Sequence, residues 1–244
     1  MKNIRFNTFL LAGGLMLSLA SCKKDFIEIK PEGQFLTENY YRNRDEAYAG
    51  LVAAYDPMRK NAGGFDNMIT FMNAGSDDNY AGGGGATDGA GIQGFSNFTI
   101  NPTIVPNSFW SDHYQGIFRA NILLQKLPGI QMDASEKARF EAEAKALRAT
   151  YYFNLVRLFR NVPLLLEPLS AAEIYNVTQA TPAAVYAQIE KDLSEAITAL
   201  PGTVALSTEA GRFTKGAAQA MLGKVFLYDN KKAEAAAQLA QVNG

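Results

Sequence analysis

Apolar residues recur at intervals of three and four through much of this chain, most densely between Ser135 and Pro163. There Phe140, Ala144, Leu147, Tyr151, Leu155 and Leu158 form one stripe, and Ala142, Ala146, Ala149, Phe153 and Val156 form a second. The spacing predicts a helix with two apolar sides, which has to be sandwiched between neighbours. Asp133 supplies a cap for its start, with Glu136 three residues on. Glu141 and Lys145 make a favourable i,i+4 pair, Asn161 is the expected left-handed terminator, and Pro163 forbids helix past Val162.

The rest of the pattern predicts further helices around this one. Residues 42–58 place Ala47, Leu51, Ala54 and Met58 on one stripe, with Pro57 limiting the end. A helix opening at Asn107 or Ser108 carries Trp110, Tyr114, Ile117, Asn121 and Leu124 at three-four spacing and closes at Pro128-Gly129. After an irregular stretch, Thr181 caps and Pro182 starts a helix with Val185, Ile189, Leu193 and Ala196 inward, ending at Pro201-Gly202. Thr214 caps another, with Ala217, Met221, Val225 and Tyr228 on its apolar side, and an alanine-rich helix covers 231–242. Helix pairs with alanine at their contacts and short turns between them predict a mainly all-α fold, a tetratricopeptide-like solenoid of helical hairpins. Two segments depart from it. Asp25 to Leu36 alternates polar and apolar residues and is expected to form an extended arm. Between Arg59 and Asn107 the composition shifts to Gly, Asn and Asp, which predicts a long irregular loop insertion with a small sheet element around Phe95 to Ile100.

The amino terminus changes the picture. Lys2 and Arg5 precede an apolar run from Phe9 to Leu19, too short to span a bilayer, so residues 1–21 read as a secretory signal peptide. Leu19-Ala20-Ser21-Cys22 resembles the bacterial lipobox, in which the cysteine becomes the lipidated first residue of the mature chain. Acylation at Cys22 would make residues 22–41 a tether and arm and residues 42–244 the helical domain. Acyl burial contributes about 0.8 kcal/mol per methylene, so more than one chain on Cys22 holds a protein at a membrane. Without the leader, 21 basic residues face 24 acidic ones, which argues against nucleic acid as a partner. One cysteine and one histidine exclude a disulfide framework and leave almost nothing for a Cys/His metal site or a cysteine nucleophile.

Several segments together resemble the SusD/RagB family of outer-membrane lipoproteins. They are Cys22 followed by Asp25-Phe26 and Pro31; the helix from Asp45 and Ala47 to Tyr55; Trp110, Tyr114, Ile117 and Asn121; and the central run Ala146, Arg148, Ala149, Tyr151-Tyr152-Phe153, Leu155-Val156, Leu158-Phe159 with Val162-Pro163. Asp192-Leu193 with Ala196, and Gly211-Arg212 with Thr214-Lys215-Gly216-Ala217, complete the set. The resemblance covers nearly the whole chain. It implies a lipid-anchored, surface-exposed protein of the outer membrane that captures an oligosaccharide or similar nutrient and passes it to a TonB-dependent outer-membrane transporter barrel. Family members are about twice this long, so the resemblance places the chain as an amino-terminal half, its carboxy-terminal half missing.

Candidate chemistry is sparse. Sugars are held by flat aromatic faces with amide, carboxylate and guanidinium partners for their hydroxyls. Ser76-Asp77-Asp78-Asn79-Tyr80 offers both kinds, and Asp78, Asn79 and Tyr80 are the candidate ligand contacts; the plain alternative is a solvated turn. Trp110 on its apolar stripe is expected in the core, Asn121 as a hydrogen-bonded structural amide, and His113 half-buried. Gly82 to Gly85 lacks the phosphate-loop lysine and reads as a flexible stretch, and Asp77, Asp78 and Asp88 miss the calcium-loop spacing. Nothing assembles a nucleophile, base and orienter, so the expectation is a binding protein with no metal, cofactor or catalytic residue. A glycan hydrolase would need two carboxylates that only the fold could bring together. The leading rival is a tetratricopeptide-like lipoprotein scaffold for protein assembly with no ligand of its own.

Overall fold

A computed structural model describes residues 40–60, 67–85 and 87–243. The leader, Cys22 and the arm from Asp25 to Leu36 lie outside the described residues. Along the chain run helix α1 (Arg44–Arg59), the short helices α2 (Met68–Ala74) and α3 (Ala90–Ser96), and α4 (Ser108–Lys126), which closes in a 3-10 turn at Leu127–Gly129. The central α5 (Ala134–Phe159) follows, then β1 (Val162–Pro163), the single turn α6 (Ala171–Ile174) and β2 (Gln179–Ala180). The chain continues through α7 (Pro182–Ala199), α8 (Leu206–Glu209), α9 (Lys215–Tyr228) and α10 (Lys232–Asn243).

The long helices pack chiefly on their sequence neighbours: α1 on α4, α4 on α5, α5 on α7, α7 on α9 and α9 on α10. That is the stacking of a hairpin solenoid, and the expected helical class is what the chain adopts. Caps explain the starts. Asn43 accepts from the Glu46 amide, Thr181 from Ala184 and Thr214 from Ala217, and Asp133 Oδ1 accepts from both Ser135 and Glu136. Pro57 falls in the last turn of α1, where the helix runs two residues further before stopping.

The central helix is buried from both sides, as its double stripe requires. Phe140, Ala144, Leu147, Tyr151 and Leu155 from one stripe and Ala142, Ala146, Ala149, Phe153 and Val156 from the other all lie in the main core. Its end differs from expectation by one residue. The left-handed backbone is at Arg160 (φ 62°), not Asn161, because Val162 has to be extended to pair with Ala180 across the two-residue β1–β2 ladder.

Burying the middle of α5 also buries Arg148 and Glu143, and both are met. Arg148 donates from Nε to Asp192 Oδ2 and from Nη2 to Asp192 Oδ1, both at 2.8 Å, and from Nη1 to Asn121 Oδ1 at 2.8 Å. Glu143, fully buried, accepts from the Tyr55 hydroxyl (2.7 Å), Arg139 Nε (3.0 Å) and Arg212 Nη2 (2.6 Å). Burial first, then the Glu143 charge, holds the Tyr55 hydroxyl far above the usual phenol range. The Tyr55 oxygen in turn accepts from the Phe213 amide at 2.9 Å, which ties the approach to α9 onto α1.

Two helix faces are rotated from the expected stripes. On α4 the buried residues are Phe109, His113, Gly116, Ile117 and Ala120 to Leu123, which leaves Trp110 36 % exposed. The reason is Gly116: a side chain there would collide with the Tyr151 ring, so the closest approach to α5 falls on the small residues. On α9 the buried face is Ala218, Gln219, Leu222, Gly223 and Val225, with Tyr228 about half exposed. Gly223 again marks the close contact, here beneath Leu239 of α10.

The insertion between α1 and α4 is better ordered than a loop. Its described part holds α2 and α3, and Phe95 to Ile100, expected to be a sheet element, is the end of α3 and a turn. Phe71, Phe95 and Phe109 meet edge-to-face at 5.1–6.3 Å and form a small second core with Met68, Ala74 and Ile92. Three rings provide enough apolar area to fix two seven-residue helices that are too short to persist alone.

Removing one partner of a buried ion pair leaves an uncompensated charge, which costs about 3–5 kcal/mol. Asp192→Ala is therefore expected to lower the unfolding free energy by about 3 kcal/mol or more in urea titration. A loss below about 1 kcal/mol would show that Arg148 does not need this partner.

Candidate functional site

Between the small second core and the end of α5 lies a cavity of about 660 Å³. Its walls include Phe95 of α3, Phe98, Ile100 and Asn101 of the following turn, Trp110 of α4, and Arg157 with Phe159 of α5. The Arg157 guanidinium is the charged group on this wall. It donates to Asn154 Oδ1 (2.6 Å) and the Phe153 carbonyl (3.1 Å) and lies over the Phe153 and Tyr228 rings at 4.2 and 5.3 Å. So held, it presents a fixed edge rather than a searching side chain.

Phe98 is the residue that the local pattern does not foretell. After α3 the Thr99 amide donates to the Gly94 carbonyl (2.9 Å) and the Phe98 amide to the Phe95 carbonyl (3.3 Å), the two bonds of a Schellman ending. The position between them has to be left-handed, and glycine is the usual occupant. Here it is Phe98, at φ 56° and 78 % exposed. A phenyl ring that gains nothing from burial is kept where backbone geometry disfavours it, the kind of strain that collects at ligand sites. Asn101 orders the next turn, accepting from the Thr103 amide at 3.0 Å.

Asp78, Asn79 and Tyr80 are exposed, Tyr80 at 82 %, and none of them lines this cavity. The segment is close to it in the fold: Gly75 is part of the cavity wall, and the Ala81 amide donates to Ser96 Oγ (3.4 Å) at the end of α3. Gly82 to Gly85, expected to be flexible, is partly tied down. The Gly84 amide donates to Asp88 Oδ2 (2.8 Å), and Gln93 Nε2 donates to the Gly85 carbonyl (3.0 Å).

Trp110, expected in the core, stands instead on the rim. Its indole meets Phe159 edge-on at 5.2 Å and Tyr114 at 4.8 Å. Asn121 is the structural amide expected of it, donating to the Leu165 carbonyl (2.9 Å) and accepting from Arg148. His113 is fully buried rather than half-buried, packed edge-on against Tyr151 at 5.8 Å, with Nε2 3.0 Å from Asn154 Nδ2. Because an amide nitrogen only donates, Nε2 accepts and the ring proton sits on Nδ1. Among the described residues no group of three or more His, Cys, Asp and Glu side chains is placed to hold a metal ion.

The SusD-like family model, described as starch-binding associating with outer membrane, matches residues 46–227. The chain belongs to the SusD-like family. Among solved structures, a laminarin-binding SusD-like protein is 64 % identical and superposes with a TM-score of 0.80, over 84 % of this chain and 44 % of that one. Surface glycan-binding protein A from Bacteroides thetaiotaomicron, solved in complex with laminarihexaose, is 25 % identical with a TM-score of 0.69, over 78 % of this chain and 40 % of that one. SusD-like protein P38 of Formosa agariphila is 31 % identical over 168 residues, 67 % of this chain and 30 % of the relative. The SusD-like chain thus spans less than half the length of each of these relatives.

Burial holds His113 neutral and pushes its pKa down from 6.5 to about 4. Above pH 6.5 the ring is neutral both folded and unfolded; below it the unfolded chain takes a proton that the folded one refuses. Stability is therefore expected to fall by about 3 kcal/mol between pH 6.5 and about 4 on this account. An imidazole NMR titration of the folded protein with its midpoint near 6.5 would contradict the assignment.

Proposed function

We propose that this chain belongs to a lipid-anchored binding protein of the outer membrane that captures a glucan of the laminarin type and delivers it to a TonB-dependent transporter barrel. The observation that carries the reading is Phe98, an exposed ring in left-handed backbone at an apolar cavity. The 64 % identity to a laminarin-binding protein supports the ligand class. In this reading Phe98 and Trp110 take the C–H faces of sugar rings, while Asn101 and the fixed edge of Arg157 meet hydroxyls. Tyr80 adds a third aromatic face beside the cavity, and Asp78 and Asn79 contribute hydroxyl partners. Cys22, acylated, anchors the protein at the cell surface, and residues 22–41 form the tether. The work is capture without bond cleavage.

Phe98→Gly separates binding from folding. Glycine relieves the left-handed backbone, so the variant is expected to gain about 1 kcal/mol in stability while affinity for laminarihexaose, by isothermal titration, drops about tenfold. Unchanged affinity would remove Phe98 from the site, and no heat from the unaltered chain would sink the glucan reading. Tyr80→Ala is expected to weaken the same titration by a smaller factor.

For the anchor, labelled palmitate should enter the protein in cells and fail to enter Cys22→Ser, which moves to the soluble fraction. Label retained by Cys22→Ser would place the lipid elsewhere.

A further inference from the structure

A second cavity, of about 390 Å³, opens on the other side of Trp110. One wall is Trp110, Tyr114 and Phe118 of α4; across from it stand Leu165, Ile174 and Val177. The Leu165 part of that far wall is pinned. The Tyr152 hydroxyl accepts from the Leu165 amide (2.6 Å) and donates to the Leu165 carbonyl (2.9 Å), which Asn121 Nδ2 also reaches. The Tyr114 hydroxyl donates to the Pro163 carbonyl at 2.7 Å, and Arg148 Nη1 to the Leu166 carbonyl at 3.3 Å. Four side chains from α4 and α5 therefore keep backbone 163–166 at a set distance from α4. Phe118 and Ile174, on its two sides, are 47 % and 54 % exposed.

Trp110 belongs to the rim of both cavities, braced by Phe159 toward the first and by Tyr114 toward the second. Phe118 lies eight residues further along α4, about 12 Å along the helix axis, a span greater than one sugar ring covers. The two cavities and the indole between them thus form one interrupted trough with aromatic rings at its start, ridge and far end. We propose that the second cavity is a further subsite for the same glucan, whose chain crosses Trp110 from the first, so that the protein favours long chains over short ones. This rests on the reading of the first cavity as a glycan site. The lining suits a neutral chain: three aromatic side chains for ring faces and, as its charged group, the exposed Glu167 carboxylate, an acceptor for hydroxyls.

The test compares laminaribiose with laminarihexaose by isothermal titration of the chain and two variants. Phe118→Ala removes the far ring from an exposed position, and Val177→Trp fills the cleft. The hexaose is expected to bind the unaltered chain at least about tenfold more tightly than the biose. Each variant should weaken the hexaose about five- to tenfold and leave the biose unchanged, with circular dichroism confirming the helical fold. Hexaose affinity unaltered in both variants overturns the second subsite and leaves the first standing. Failure of both sugars on the unaltered chain overturns the first reading, and this one with it.

Discussion

A guanidinium in the middle of a packed helix has to be neutralised, and in this protein that requirement joins three successive long helices. Arg148 reaches Asp192 on α7 with two bonds and Asn121 on α4 with a third, so the hairpin partners on either side of α5 are fixed to the same group. Its remaining bond, to the Leu166 carbonyl, sets the strap after β1. Apolar stacking alone would allow these helices to slide, because alanine-lined contacts are smooth. The charge supplies a register, a role attested for buried polar groups elsewhere. The Glu143 cluster repeats the device one turn and a half earlier, joining α1 and the approach to α9 through Tyr55 and Arg212.

The face that carries the candidate site is built differently. It rests on the insertion, where Phe71, Phe95 and Phe109 make a core of their own beside the solenoid. Two rings escape that core, Phe98 by a left-handed turn and Trp110 by rotation of α4, and both end at the same cavity. Relatives that bind laminarin and laminarihexaose share the scaffold over most of this chain.

Much of the scaffold was legible because helical periodicity and capping act locally. Thr181 before Pro182, Thr214 three residues ahead of Ala217, and the double stripe of α5 each state their own structure. What failed depended on contacts distant in sequence. The hydropathy of Trp110 placed it inside, but the choice of face was made by Gly116, whose lack of a side chain lets Tyr151 approach. Phe95 to Ile100 holds aromatic and β-branched residues that suit a strand, yet Phe95 packs with Phe71 and Phe109 as the last turn of a helix, and a turn follows it. The one available signal for the site was the aromatic Phe98 in a stretch of Ser, Asn and Thr, and the pattern offered no reason to single it out. The leader and Cys22 were read from sequence chemistry alone.

The walls of both cavities are drawn from residues 72–177, while the counter-charge for Arg148 comes later, at Asp192. Backbone 163–166, which helps to wall the second cavity, is thus held by a guanidinium whose counter-charge lies outside both linings. A helix that lines neither cavity thereby has a hand in the contour of one of them.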